Sequence, residues 1–393
     1  MRTITQQFPH GKRVLLRADF DVSLNPDHTI ANDARIQSNL PTIQLLLKNK
    51  NKLVCVAKLD RPKGRDLKYS LSVVVKHLQK LIPTHKVRLI DDFLTVNPTV
   101  FDKQTEKDIY VLENIRFYPE EKKNDATFAK RLADLADVYV NDAFAMCHRS
   151  EASIVGVTKH IPSYSGLLLK KEIEMIDRVT KHPHHPVVVI IGGAKVSTKI
   201  HLIGRLMEVA DCILIGGGLA NTFFAAQNFN IGGSFYEKEA LDDARQLLQR
   251  AKKKHTDLLF PVDVVLGSPD PEKKEGEVVN INDMVKTEKR SILDIGPQTQ
   301  ALFGSTIAYA KTIIWNGPMG YIEHSSFRRG TDFVFYAIAQ NQHAVSLVGG
   351  GDTLAAISKK EYIDQITHVS TGGGAMLEYI EKGTLPGIEA LNQ

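Results

Sequence analysis

Apolar residues along this chain fall into short continuous blocks, separated by longer segments of helical periodicity. In the first half the blocks are RVLLRADF (13–20), KLVCVAKL (52–59), KVRLI (86–90), DIYVLENI (108–115) and DVYVNDAF (137–144). In the second half they are PVVVIIGGA (186–194), CILIGGG (212–218), DLLFPVDVVL (257–266), KTIIWNGP (311–318) and AVSLVGGG (344–351). Helical patterns occupy 40–48, 71–81, 127–135, 199–210 and 241–251. Val, Ile and Leu runs without polar alternation are strands covered on both faces, and the intervening helices supply the cover. The pattern predicts an α/β protein with two doubly wound, Rossmann-like parallel sheets of about five strands each.

The boundary between them belongs near the middle. LLLKKEIEMIDRV (167–179) has the periodicity of one amphipathic helix, and KHPHHP (181–186) ends it with two prolines. The three histidines of that stretch lack a Cys, Asp or Glu at ligand spacing, so it reads as a polar linker rather than a metal site. The expected organisation is a first domain over 1–166, a connecting helix and hinge over 167–181, a second domain over 182–372 and a terminal segment over 373–393.

Composition narrows the class. The 393 residues are 43% hydrophobic and 24% charged, as in ordinary globular proteins. No apolar run approaches the roughly 18–20 residues of a membrane span, and MRTITQQFPHGKRV lacks the apolar core of a secretory leader. Cys55, Cys147 and Cys212 are odd in number, far apart and without a CxxC pair, which excludes a disulfide framework and a zinc ribbon. A soluble, cytoplasmic protein with no membrane partner is expected. The formal charge of +5, from 50 basic and 45 acidic residues, suits anionic ligands. The run Lys252, Lys253, Lys254 is a solvated helix face, and no nucleic-acid signature accompanies it.

Four strands of the second half run into glycine-rich turns that precede helical patterns: IIGGAKVSTK (Gly192, Gly193), LIGGGLANTF (Gly216, Gly217, Gly218), LVGGGDTLAA (Gly349, Gly350, Gly351) and HVSTGGGAML (Gly372, Gly373, Gly374). Such turns let backbone N–H groups converge at a helix start, a cradle for phosphate. Lys195 and Lys199, four apart, are expected on one helix face reaching a polyphosphate. Asp352, beside Thr353, is either a carboxylate for a nucleotide-bound Mg²⁺ or a helix cap. The Walker A pattern, a GxGxxG after a strand and the protein-kinase set are all missing.

The first half has arginines instead. Arg17, Arg61, Arg116 and Arg149 lie at or just beyond strand ends, and Arg35 begins a helical segment, so together they form a candidate anion site. Asp19 and Asp21, alternating along RADFDV, are expected to face one side and to bind a hydroxylated ligand or orient the arginines. A phosphate-cradling domain and a small-anion domain suggest phosphoryl transfer between two ligands.

RADFDV, DARI, LDRPKG, ENIRF, NDAF followed by HR, GGAKVSTK, GGGLANTF, WNGPMGYIE, GGGDTLAAI and STGGGA resemble, in order and over essentially the whole chain, the phosphoglycerate kinase family. The resemblance implies reversible transfer between 1,3-bisphosphoglycerate and Mg·ADP, giving 3-phosphoglycerate and Mg·ATP, in a mostly monomeric enzyme that closes about a hinge. It also implies a first domain for the glycerate, a second for the nucleotide, and a terminal segment that returns to the first. By position, Asp19, Asp21, Arg35, Lys58, Arg61, Arg116 and Arg149 would line the glycerate site. Lys195, Lys199, Asn316, Glu323, Gly349, Gly350, Gly351, Asp352 and Thr353 would bind nucleotide, with Glu323 at the ribose and Asp352 at the metal. Gly216, Gly217 and Pro318 would wall the adenine. Arg35, Lys195 and the turn Gly372, Gly373, Gly374 would stabilise the moving phosphoryl group.

Departures from the family pattern cluster in the first domain: Asp21 for the usual Asn, Lys58 for the usual His, Asp60 for the usual Gly, Ala145-Met146 for Gly-Thr, and Glu151. Lys58 is expected to compensate Asp21 or Asp60. The alternatives are a nucleotide-binding regulator with altered or lost glycerate specificity, and a dehydrogenase.

Overall fold

The computed structural model describes residues 1–6, 10–268, 270, 276–285, 289–357 and 360–392. Its residues divide into two compact units, Met1–Ile173 with Lys382–Gln393, and Glu174–Glu381. The helix Leu167–Thr180 therefore carries the division within it rather than standing between the units, and residues 373–381 group with the second.

In the first unit six parallel strands lie in the order Lys86–Ile90, Asp108–Leu112, Lys52–Val56, Arg13–Arg17, Val138–Asn141, Ser163–Ser165. The edge strand Ser163–Ser165 was not expected; three residues are too few for a periodicity. Val14, Leu16, Leu53, Cys55, Val111 and Val140 are essentially inaccessible, and each such side chain contributes roughly 1.5–3 kcal/mol by leaving water. From Arg13–Arg17 the chain builds the sheet first on the side of Lys52–Val56, then crosses to Val138–Asn141 on the other. That reversal opens a crevice beyond the carboxyl ends of the strands.

The second unit repeats the design with strands Asp257–Leu259, Cys212–Ile215, Val187–Ile191, Thr312–Asn316, Val345–Val348 and His368–Val369, all parallel. Its reversal lies between Val187–Ile191 and Thr312–Asn316. The block 257–266 is not one strand. It breaks at Phe260-Pro261, where the proline has no N–H to give a ladder, and Asp263–Gly267 joins Glu277–Asn280 and Ser291–Ile295 in a separate antiparallel sheet. Among the described residues no helix is long and apolar enough to cross a membrane.

Candidate active site

Each unit carries a cavity near the carboxyl ends of its parallel strands, and that of the second unit lies at its reversal. In the second unit a cavity of about 570 Å³ is lined by Gly193, Gly217, Pro318, Glu323 and Asp352 on one side. Phe224, Phe235, Ile292, Leu293 and Tyr321 line the other. Its floor is made of turns pressed together: Gly193 N donates to Pro318 O at 2.8 Å and Gly217 N to Met319 O at 3.0 Å. A Cβ on Gly192 would stand 2.0 Å from Pro318 O, so only glycine permits that approach. Gly350 has φ near +107° and its Cβ would meet Asn316 Nδ2 at 2.2 Å, a second position closed to other residues.

Three of the four expected turns do open helices: Gly217–Ala226, Gly351–Ala356 and Gly374–Lys382. After Gly192 and Gly193 the helix Ile200–Leu206 starts later, so Lys195 and Lys199 do not share a helix face as expected. Residues 194–199 are instead held in turns, with Val196 buried and Ser197 N and Oγ bonded to Glu237. Lys199 Nζ donates to Gly192 O at 2.7 Å, and burial pulls its pKa down to about 8 against the opposing charge of Asp352. Lys195 is exposed. Asp352 is the second residue of its helix rather than the cap, which is Gly350. Thr353 is fully buried and ties two turns, accepting from Gly317 N at 2.7 Å and donating to Gly349 O at 2.9 Å. Asn316, also buried, donates to Gly349 O at 2.8 Å. Both hold the cradle's shape from beneath.

In the first unit a cavity of about 590 Å³ is lined by Asp21, Arg35, Lys58, Asp60 and Arg61, with His28, Lys68 and Tyr69. The strand Arg13–Arg17 ends before the aspartates, so their expected alternation along it does not apply. Asp19 is buried and accepts from Arg35 Nη1 through both oxygens at 3.0 Å. Asp21 is paired with Lys58 and also accepts from Asp60 N at 2.7 Å. Burial pushes the Lys58 ammonium pKa down while Asp21 pushes it up, and the first effect prevails. Asp60 adopts φ near +58°, the left-handed region that aspartate tolerates better than most residues. Arg116 is buried against Glu151 and Arg149 is exposed. Neither lines this cavity. Arg17 does not join the anion site: it is fully buried and donates to Ser153 Oγ and Ala18 O.

The model of the phosphoglycerate kinase family matches residues 4–383. A phosphoglycerate kinase of Dictyoglomus turgidum is 46% identical over 382 residues, 97% of this chain and 96% of that one. The chain belongs to the phosphoglycerate kinase family. The solved phosphoglycerate kinase of Coxiella burnetii agrees with a TM-score of 0.88 and 39% identity, over 100% of this chain and 98% of that one. That of Pyrococcus horikoshii agrees with a TM-score of 0.85 and 31% identity over the same shares. As a phosphoglycerate kinase of glycolysis the chain is an enzyme, a phosphotransferase, and neither alternative reading gains support.

Against the family's expected residues, the second cavity gathers Gly217, Pro318, Glu323 and Asp352, and the first gathers Asp21, Arg35, Lys58 and Arg61. Gly216, Gly349 and Gly351 belong to the turns around the second cavity, while Gly372, Gly373 and Gly374 follow the edge strand His368–Val369. The sequence reading missed the apolar wall of the second cavity, because Phe224 and Phe235 carry no motif and the antiparallel sheet was not expected. It also missed Asp294, whose carboxyl burial pushes up to about 7 while it accepts from Gly330 N and Ile295 N.

Proposed function

We propose that this enzyme transfers the acyl phosphate of 1,3-bisphosphoglycerate reversibly to Mg·ADP, giving 3-phosphoglycerate and Mg·ATP. The observation that carries the reading is the family match over residues 4–383, borne on a chain in which a cavity of the first unit gathers Asp21, Arg35, Lys58 and Arg61 and one of the second gathers Gly217, Pro318, Glu323 and Asp352. Asp21, Arg35, Lys58 and Arg61 would hold the glycerate, with Asp19 fixing Arg35 from beneath and Arg116 and Arg149 completing the set. Gly217, Pro318 and the apolar wall suit a nucleobase, and Glu323 a ribose. Lys199 and the glycine turns suit phosphates.

Asp352 fits a magnesium site of the kind nucleotides bring with them. Among the described residues no three His, Cys, Asp or Glu converge as a metal cage. Mg²⁺ needs only one or two carboxylates beside phosphate oxygens, and Asp352 supplies one at the cavity rim. Bound there, the ion would neutralise phosphate charge. The chain's own work is positioning and charge. Arg35, Lys195 and the N–H groups near Gly372, Gly373 and Gly374 would stabilise the transferring group. The accepting oxygen, carboxylate or phosphate, is already ionised, so no general base is needed. In-line transfer requires the two ligands to meet with water excluded, which makes hinge closure part of the proposal, together with a monomeric state and a cytoplasmic location.

The test is a coupled assay with 3-phosphoglycerate and Mg·ATP, extended to a panel of phosphorylated hydroxy acids. Turnover with 3-phosphoglycerate is expected, and Arg35→Ala should lower kcat by at least about 10²-fold with the circular dichroism unchanged. Near-normal turnover in that variant would remove Arg35 from the mechanism.

A further inference from the structure

Arg116 and Glu151 form an ion pair in the first unit. Arg116, in the turn Ile115–Phe117 after strand Asp108–Leu112, donates from Nη2 to Glu151 Oε1 at 2.7 Å, and each side chain is only 8% exposed. Glu151 immediately precedes the single wide, π-helical turn Ala152–Gly156 and is one of the positions at which the chain departs from the family pattern. The neighbouring carboxylate shows what a fully satisfied one looks like here. Glu121 accepts from Ser153 N at 2.9 Å and from Ser153 Oγ at 2.6 Å, one bond to each oxygen. Glu151 Oε2 and Arg116 Nε, by contrast, are buried without a hydrogen-bond partner.

A buried ion pair offsets the cost of desolvating two charges only when its remaining lone pairs and protons are also satisfied. This pair leaves one group on each member unsatisfied, so it is a poor device for stability. It is instead a guanidinium already holding one anion, with further donor capacity unused. We infer that Glu151 is a resident counter-anion: it occupies Arg116 while the glycerate site is empty, and an incoming substrate must compete with it. The inference rests on the reading, proposed above, that Arg116 contacts substrate.

The competition has a direction. A phosphate dianion engages a guanidinium more strongly than a carboxylate does, through two parallel bonds and greater charge. It can displace or share with Glu151, whereas a monoanion gains little by doing so. Glu151 therefore lowers affinity for all anions and lowers it most for weak ones, making it a specificity-determining residue for phosphorylated substrates. The pair Lys58–Asp21 follows the same logic at the cavity itself. At both places an acidic side chain at a divergent position neutralises a cation assigned to the substrate.

The experiment compares the parent enzyme with Glu151→Gln, which keeps size and hydrogen-bonding capacity but removes the charge. KM for 3-phosphoglycerate should fall about tenfold, the size of effect expected when about 1.4 kcal/mol of competing interaction is removed, with kcat within about twofold. Calorimetric titration with 3-phosphoglycerate should show Kd falling in step. Glu151→Met, also neutral, carries the same measurements if the glutamine variant does not fold. Arg116→Ala provides the control and should raise KM. If Arg116→Ala raises KM while neither neutral variant at 151 lowers it, the counter-anion inference is overturned and the substrate assignment stands. If Arg116→Ala leaves KM unchanged, the assignment of Arg116 itself fails, and the inference with it.

Discussion

Lys58 and Asp21 illustrate how a departure at one residue is matched by a departure at another. Either change alone would place an uncompensated charge in the glycerate cavity; together they form an ion pair, with Asp21 also accepting from Asp60 N at 2.7 Å. Groups in contact do not act independently. Lys58→His, which leaves the Asp21 carboxylate facing an anionic substrate, should raise KM for 3-phosphoglycerate; Asp21→Asn alone should not, and the double variant should recover most of the loss, with a coupling above about 1 kcal/mol. Simple addition of the two effects in steady-state kinetics would show that the pair is incidental. Lys199 makes a pH prediction. Burial holds its pKa at about 8, below the ordinary lysine value, so it is charged below pH 8 and neutral well above it. Mg·ADP affinity should be flat from pH 6.5 to 7.5 and decline above about 8. Lys199→Met should bind more weakly and lose that decline. The stability effect has the opposite sense: a charged lysine is costly to bury, and the cost is relieved as pH rises from about 8 toward the unfolded value of about 10.4.

At the scale of elements, the helix Leu167–Thr180 was legible because Leu168, Leu169, Ile176 and Val179 repeat on one buried face. Its anchorage was not, since the residue that caps it comes from a distant strand end. Asp142 Oδ1 accepts from Leu168 N at 2.8 Å and Leu169 N at 3.2 Å, and burial pushes its carboxyl up to about 7. A raised carboxyl pKa means that the folded state holds a proton the unfolded chain has lost. Stability from this group is full below about pH 4 and fades as pH rises through about 7. Asp142→Asn keeps a capping oxygen but cannot ionise. Urea midpoints should show the parent losing ground to the variant between pH 5 and pH 8, and parallel curves would refute the linkage. Other misreadings at this scale have local causes. The helix expected from 199 begins at Ile200 and leaves Lys195 outside it, because Ser197 is drawn to Glu237. The strand expected over 257–266 is cut by Pro261.

At the scale of the whole chain, residues 382–393 belong to the first unit although they follow the whole of the second. Leu385, Ile388 and Leu391 are buried, and Gly387 N donates to Cys147 O at 2.8 Å. Each of these side chains is worth roughly 1.5–3 kcal/mol, a large share of the 5–15 kcal/mol that ordinarily holds a domain together. Deleting 384–393 should lower the calorimetric melting temperature of the first unit by at least about 10 °C. Equilibrium dialysis should find Mg·ADP binding by the second unit retained, and loss of binding would show that the units do not fold independently. The sequence by itself determined the fold class, the strand blocks and the glycine turns, because burial on both faces and close backbone approach restrict which residues are tolerated at each position. Only the tertiary structure decided that Lys58 meets Asp21, that Glu151 meets Arg116, that Arg17 is buried in the scaffold, and that Thr353 ties two glycine turns together. Those outcomes depend on which side chains from distant segments arrive at the same point. No local period or motif encodes such a meeting; the packing of strands into one sheet does.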